Sequence, residues 1–196
     1  MRVQCPGGYE IALSVGFRPA KDHRWIASVH WKRTGSKARI GMSTRRHKAR
    51  EVALQMLFQK DLNPDVAPDL IREQIQEALE DERLSRFAWS LYAGVIESLS
   101  MIDARIESVA SHWSVERMPA TDRNAIRLGA FEILYTETPP RVAIDEALEL
   151  AKSFGSANSS SFVNGILDRL IPKEKRNASE SAATETQSES ESELSD

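Results

Sequence analysis

Apolar side chains between residues 43 and 171 recur at three- and four-residue spacings, which place them on one face of an α-helix. Prolines interrupt the pattern at short intervals, and each interruption predicts a helix boundary because proline does not continue a helix. The pattern predicts seven helices, over residues 45–61, 68–80, 83–99, 101–112, 119–136, 141–153 and 159–170. Short connections favour antiparallel neighbours, so we expect an all-α fold of antiparallel helical bundles.

Both ends of the chain lack this pattern. Residues 1–42 show no sustained period, are only weakly strand-like at residues 29–31, and carry eight Lys/Arg against two Asp/Glu. Residues 172–196 are rich in Ser, Glu and Thr, with too little apolar surface to offset the entropy of ordering. We therefore predict a poorly patterned basic extension over 1–42, a helical domain over 43–171 and a disordered acidic tail over 172–196. Either translation starts at Met42 or the extension is genuine, and the sequence leaves both open.

Composition and motifs point away from enzymes, membrane proteins and disulfide-bonded folds. Cys5 is the single cysteine, and no apolar run approaches the roughly 20 residues of a membrane helix. The four histidines lack metal-ligand spacing, and no phosphate-binding glycine motif occurs. Acidic residues on the sixth predicted helix more often form a solvent-exposed helix face than a catalytic pair of carboxylates. We expect a cytoplasmic protein with no catalytic residue, cofactor or metal.

The first predicted helix opens with a dense run of positive charge. Cations at a helix N-terminus oppose the helix dipole, so the run calls for another explanation, and phosphate binding supplies one. Arg46 and Arg50 are four residues apart, share a face and have no carboxylate at the next turn, so we expect both to be exposed. The alternative is a helix start that only aids solubility. The candidate RNA-binding residues of this run are Arg45, Arg46, His47, Lys48 and Arg50.

Further candidates lie along the first helix and at the start of the seventh. Gln55 continues the polar stripe from the basic run, and a side-chain amide reads base edges where arginine holds phosphate. Asn158 or Ser159 is a suitable N-cap, and the free N–H groups of a helix start also take a phosphate. Phe162 would stack on an unpaired base if exposed, although a phenylalanine here is more often core.

Four segments, in the same order and at the same spacing, resemble the NusB family. RHKAREVALQ (46–55) resembles its arginine-rich opening, and DRNAIRLGAFEILY (122–135) resembles its fifth helix. VAIDEALELAKSFG (142–155) and FVNGILD (162–168) resemble its last two helices. The resemblance runs from about residue 44 to residue 170 and leaves both ends outside it.

The resemblance implies two packed helical subdomains and binding of the boxA element of nascent ribosomal RNA leaders. It implies that the arginine-rich segment, here Arg45, Arg46, Lys48 and Arg50, makes the principal contacts. It also implies a heterodimer with NusE, ribosomal small-subunit protein number ten. That heterodimer joins an RNA polymerase antitermination complex, which suppresses termination in ribosomal RNA operons.

Several positions depart from the family pattern. His47 and Lys48 stand where several members have arginine, which alters contact strength. Asn158 stands where an aspartate is often found, so repulsion from RNA should be weaker. Phe58 stands where some members have tyrosine, and it keeps the stacking surface without the hydroxyl group.

The partner-binding surface is expected between the fourth and fifth helices. Trp113 offers an aromatic anchor there, and Glu116 and Asp122 offer acidic groups for a basic ribosomal protein. One alternative function is a helical protein-interaction module without RNA binding. Another is a relative of the RNA-targeting domain fused to ribosomal RNA cytosine methyltransferases, although this chain has no room for a methyltransferase fold.

Overall fold

The structure is a computed structural model that describes residues 2–5, 9–15, 27–33, 42–110 and 113–176, with side chains from residue 45 onward. All seven predicted helices are present within a few residues of their expected ends, which confirms the all-α prediction for the helical domain. A 3-10 turn at Val115–Arg117, which the sequence analysis did not predict, precedes the fifth helix. The helices are α1 (Met42–Leu62), α2 (Pro68–Ala78), α3 (Glu82–Glu97), α4 (Leu99–Val109), α5 (Ala120–Tyr135), α6 (Pro140–Phe154) and α7 (Ser159–Leu170).

Three strands precede the helices, in a region where the sequence analysis expected no regular element. They are β1 (Arg2–Cys5), β2 (Tyr9–Val15) and β3 (Ala27–Arg33), in an antiparallel sheet of order β1-β2-β3. The weak strand tendency at residues 29–31 falls inside β3. Ile11, Leu13 and Val15 do alternate along β2, but the alternation covers only five residues, and strand pairing depends on partners elsewhere in the chain.

The helices form two groups that meet at α5. Helices α1, α2 and α3 pack on one another, as do α4, α5, α6 and α7, while α5 also packs against α1 and α3. The expectation of two packed helical subdomains is thus confirmed. Helix α5 is buried on nearly every side, which explains its long run of apolar and small residues.

Two glycines permit close packing around α5. A Cβ atom on Gly129 would lie 2.7 Å from Leu167 Cδ1 on α7 and 3.1 Å from Ala147 Cβ on α6. A Cβ atom on Gly94 of α3 would overlap the Phe131 ring. Larger side chains at these positions would separate α5 from its neighbours.

The chain after α7 corrects the predicted start of the tail. Residues 173–176 form a helical turn, and Lys175 Nζ donates hydrogen bonds to the carbonyl oxygens of Ile133 at 2.8 Å and Thr136 at 3.0 Å. Lys175 therefore caps the C-terminal end of α5, where carbonyl groups lack partners within the helix. The remainder of the predicted disordered tail, from residue 177, lies outside the described residues. Among the helices that the structure describes, none is long and apolar enough to span a membrane.

Candidate nucleic-acid interface

The start of α1 presents fixed positive charge at the surface. Arg45, Arg46 and Lys48 are exposed, as the sequence predicted, and His47 is half-buried between them. Lys48 Nζ donates to Glu51 Oε2 at 2.7 Å, but nearly half of its side chain remains exposed. The exposure suits phosphate contact, while the contact itself stays a prediction.

Arg50 does not share this exposure, and the expectation that it lies unpaired at the surface is wrong. Its side chain is only 3% exposed, and its Nε and Nη2 atoms donate to Glu132 Oε1 at 2.9 Å and Oε2 at 2.7 Å. Its Nη1 also lies 3.6 Å from Glu146 Oε1. Burial lowers the pKa of Arg50, but the hydrogen bonds and charge of Glu132 outweigh burial and raise it. The helical spacing of Arg46 and Arg50 could not reveal a partner 82 residues away.

His47 connects the same helix start to α6. Its Nδ1 donates to Glu146 Oε2 at 2.7 Å, and its Nε2 lies 3.7 Å from Glu51 Oε1. The hydrogen bond to Glu146 raises the pKa of His47 although burial opposes the charge, and the charges of Glu51 and Glu149 add to the rise. His47 and Arg50 thus fix the start of α1 against α6 and α5 through carboxylates.

Phe87 on α3 lies against two of the arginines. The guanidinium carbon of Arg46 is 5.6 Å from the ring centroid, and that of Arg50 is 5.2 Å from it. Both distances fall within the range of cation–π contact. Arg50 is held by Glu132, so Phe87 has one fixed cationic neighbour and also contacts the exposed Arg46.

Gln55 and Phe58, further along α1, are both half-buried. Gln55 follows Lys48 by seven residues, so the two side chains share a helix face. Gln55 lies nine residues after Arg46, so the Arg46 side chain is half a turn away from the face that Gln55 and Lys48 share. A nucleic acid that reaches Gln55 would therefore approach over Lys48.

The start of α7 brings together only some of the predicted contacts. Asn158 is exposed at the N-cap, where its side chain makes no capping hydrogen bond. Ser159 is 1% exposed, and its Oγ accepts a hydrogen bond from Ser156 N at 2.7 Å. Ser159 is therefore a structural residue of the turn before α7, and its predicted RNA contact is not available in this conformation.

The predicted partner surface also changes. Trp113 is 54% exposed and Glu116 is exposed, as a docking site requires. Asp122, however, is buried at the start of α5, where burial raises its pKa although hydrogen bonds with Ser159 and Thr121 oppose the rise. The expectation that Asp122 supplies surface charge is wrong, because the Asp122 side chain faces the protein interior while its neighbours Thr121 and Arg123 stay partly exposed.

The structure places Trp113 beside Phe162. Their ring centroids are 5.9 Å apart with an interplanar angle of 60°. Phe162 is half-buried and also packs against the core, so its core role is real and only part of the ring remains for stacking. The predicted partner residue and the predicted RNA residue thus form one aromatic pair.

Sequence reasoning missed an ion-pair network that joins α1, α4 and α5. Asp61 Oδ2 accepts from Arg123 Nη2 at 2.7 Å and from Asn124 Nδ2 at 2.8 Å, while Arg127 makes two hydrogen bonds to Asp103 at 2.7 and 2.8 Å. Apart from the adjacent α5 residues, the partners lie 24 to 66 residues apart, so no local pattern signals them. Within the described residues no cluster of three His, Cys, Asp or Glu side chains is arranged to hold a metal ion.

The comparisons with known proteins agree with the helical architecture. The NusB family model matches residues 47–172, which is more than half of the chain. The chain belongs to the NusB family. Its first 46 residues, which include Arg45 and Arg46, and its last 24 lie outside the matched range.

Two of the similar relatives are named transcription antitermination protein NusB. The protein of Bdellovibrio bacteriovorus is 38% identical over 129 residues, which cover 65% of this chain and 95% of that one. The protein of Solibacter usitatus is 44% identical over 127 residues, which cover 64% and 87%.

Solved structures of the NusB family share the fold. NusB from T. maritima aligns with a TM-score of 0.60 and 37% identity, covering 67% of this chain and 96% of that one. A structure described as the antitermination factors NusB and NusE in complex with double-stranded RNA aligns with a TM-score of 0.58 and 28% identity, covering 66% and 97%.

Proposed function

We propose that the chain is a transcription antitermination factor that binds the boxA element of nascent ribosomal RNA leaders together with NusE. The observation that carries the proposal is the exposure of Arg45, Arg46 and Lys48 around a helix start that the buried Arg50–Glu132 ion pair holds in place. A NusB structure that contains both NusE and RNA adds support from a relative. Action within an RNA polymerase antitermination complex would place the protein in the cytoplasm.

The arginine-rich segment divides into two roles in this proposal. Arg45, Arg46 and Lys48 contact phosphates, because their charges reach solvent and displacement of condensed counterions by such charges favours binding. Arg50 instead positions the helix start, because its guanidinium group is held by Glu132. A helix start that is already held in place loses less conformational entropy on binding than a loose one.

The proposed sequence-reading contacts are Gln55 on α1 and residues at the exposed start of α7. Gln55 shares a face with Lys48, where its amide can hydrogen-bond a base edge. Asn158 adds an uncharged polar group at the exposed start of α7, and the free part of Phe162 adds a stacking surface. Phe58 contributes apolar contact beside Gln55.

We place NusE at the surface around Trp113 and Glu116. An exposed tryptophan is a typical anchor of a protein interface, and an adjacent carboxylate complements a basic ribosomal protein. Since Trp113 packs on Phe162, NusE bound there would stabilise an aromatic pair that includes the proposed RNA contact Phe162.

The test compares binding of boxA RNA and scrambled RNA, with and without NusE, for the wild-type chain and two matched variants. Arg46→Ala removes a proposed phosphate contact, while Arg105→Ala removes an exposed cation on α4. We expect Arg46→Ala to weaken RNA binding by about three- to ten-fold, as the loss of one charge-assisted contact does, and Arg105→Ala to leave it unchanged. Equal affinity for RNA in both variants, with NusE binding retained, would favour a protein-interaction module instead.

A further inference from the structure

We infer that the cations at the start of α1 are also the docking surface for the chain's own acidic segment, residues 177–196. The segment then competes with RNA for Arg45, Arg46 and Lys48, so that it lowers RNA affinity without entering the fold. The inference rests on the proposed function, because RNA and the acidic segment would bind the same three cations.

The described structure connects the origin of this segment, through a series of hydrogen bonds, to the Arg50–Glu132 ion pair at the base of the cationic helix start. Lys175 donates hydrogen bonds to the carbonyl oxygens of Ile133 and Thr136 at the end of α5. Thr136 Oγ1 donates in turn to the carbonyl oxygen of Glu132 at 2.8 Å, and the Glu132 carboxylate holds Arg50. Residue 177 therefore follows an anchor that lies one turn of α5 from the ion pair at the base of the cationic helix start.

The charges of the two surfaces are complementary. Residues 177–196 contain six carboxylates and no Lys or Arg, and Leu194 is their only large apolar side chain. The three exposed cations lie on a helix start whose first turn contains no acidic residue. Opposite charges at contact distance attract at low ionic strength, and salt screens the attraction over about 10 Å at 0.1 M.

The length of the segment, twenty residues, suits a tethered contact. A chain of twenty residues with random-coil dimensions spans about 25 Å, since its end-to-end distance is about 5–6 Å times the square root of its length. Tethering also gives a flexible partner an effective concentration of about 1 mM. A contact with a dissociation constant of a few hundred micromolar would then occupy the cations most of the time, and RNA affinity would fall by about three- to ten-fold.

Neutralising the segment in the full chain tests the inference directly. The variant replaces six carboxylates by amides, at Glu180, Glu185, Glu189, Glu191, Glu193 and Asp196. We expect this variant to bind boxA RNA about three- to ten-fold more tightly than wild type at low salt, with the difference shrinking as salt rises. A variant with a scrambled segment of the same composition should retain the inhibition, because charge rather than sequence produces it.

A matched control separates docking from net charge. It neutralises six exposed carboxylates of the helical domain, at Asp69, Glu73, Glu77, Glu80, Glu82 and Glu97. We expect this control to change RNA affinity by less than about two-fold, since exposed charges beyond a Debye length are largely screened. An equal increase in RNA affinity in the control and in the segment variant would contradict docking.

A second measurement works without RNA. A labelled peptide of residues 177–196 is titrated into the full chain whose own segment is neutralised. We expect salt-sensitive binding that falls at least about five-fold when Arg45, Arg46 and Lys48 are changed to alanine, as loss of several charge contacts implies. Absence of binding, or binding lost only when the eight cations of residues 1–42 are neutralised instead, would overturn the inference.

The two measurements also separate the inference from the proposed function. If RNA binds the wild-type chain and neutralising the segment changes nothing, the docking inference fails while the proposed function stands. If no chain binds RNA but the peptide binds the α1 cations, docking stands and the proposed function fails.

Discussion

Arg50 on α1 and Glu132 on α5 form a bidentate ion pair that is almost completely buried. The two nitrogen–oxygen distances are 2.9 and 2.7 Å, and the Glu132 side chain is 1% exposed. The pair joins the cationic helix start to the central helix. The fixed positive charges of this segment therefore have two environments. Arg45, Arg46 and Lys48 are exposed to solvent, whereas Arg50 is buried in the protein.

Removing one partner of this pair should destabilise the fold. Arg50→Ala leaves Glu132 buried and uncompensated, which costs about 3–5 kcal/mol in comparable buried pairs. Arg46→Ala is the matched control, and we expect its free energy of unfolding to stay within about 1 kcal/mol of wild type, since it loses the contact with Phe87. Urea unfolding measures both. A loss below about 1 kcal/mol for Arg50→Ala would contradict the buried pair.

A volume-matched double variant sharpens this prediction. Arg50→Met with Glu132→Leu replaces both charges by apolar groups, a change that is often neutral or stabilising at buried pairs. We expect the double variant to recover most of the stability that Arg50→Ala loses. A double variant as unstable as Arg50→Ala would show that the charges themselves are required.

The stability contribution of His47 should depend on pH. Its hydrogen bond to Glu146 raises its pKa above the usual 6.5, and the charges of Glu51 and Glu149 add to this. Because the folded-state pKa exceeds the unfolded-state pKa, the contribution is fully present below about pH 6.5 and is lost as pH rises through the folded-state pKa. The measurement is the difference in unfolding free energy between wild type and His47→Gln across this range.

Glu146 provides the control for His47. In a Glu146→Gln background, the hydrogen bond no longer involves a carboxylate, so most of the pH-dependent difference should disappear. A difference that is independent of pH in the original background would show that His47 is not held by Glu146.

Phe87 should position Arg46 for RNA. Phe87→Leu keeps an apolar side chain but removes the ring, while Phe87→Tyr retains the ring face. We expect Phe87→Leu to weaken RNA binding by about two- to five-fold, the equivalent of one cation–π contact of about 0.5–1 kcal/mol. Phe87→Tyr should restore the affinity. Equal RNA affinity in all three chains, at equal helical content, would contradict a positioning role.

Lys175 should stabilise the end of α5. Lys175→Met removes two hydrogen bonds to backbone carbonyls, which together contribute about 1–2 kcal/mol. Thermal unfolding should show a midpoint lower by about 2–6 °C for a domain of this size. Lys173→Met is the matched control at an exposed position and should leave the midpoint unchanged. Equal midpoints for both variants would contradict the capping role.

The helices were predictable because their signal is local. The apolar faces of α2 and α6, and the prolines that begin both helices, lie within a few residues of the structure that they specify. The strand β2 was missed because five alternating residues are a short signal and its partners lie elsewhere in the chain.

The candidate site was predictable only in part. The exposure of Arg45, Arg46 and Lys48 could be predicted from the density of positive charge at the helix start, since such charges remain solvated unless paired. The burial of Arg50 depends on Glu132, and the burial of Asp122 depends on how α5 packs against its neighbours. Neither burial can be predicted from the spacing of residues that are close in the sequence.

The salt dependence of RNA binding tests the central claim most directly. Each phosphate contact with a single strand contributes about 0.7 to the slope of log affinity against log salt concentration. For boxA RNA with NusE present, the triple variant Arg45→Ala, Arg46→Ala, Lys48→Ala should therefore lower the magnitude of the slope by about 2 while the chain stays folded. A triple variant that is folded and keeps the wild-type slope would contradict an RNA interface at the start of α1.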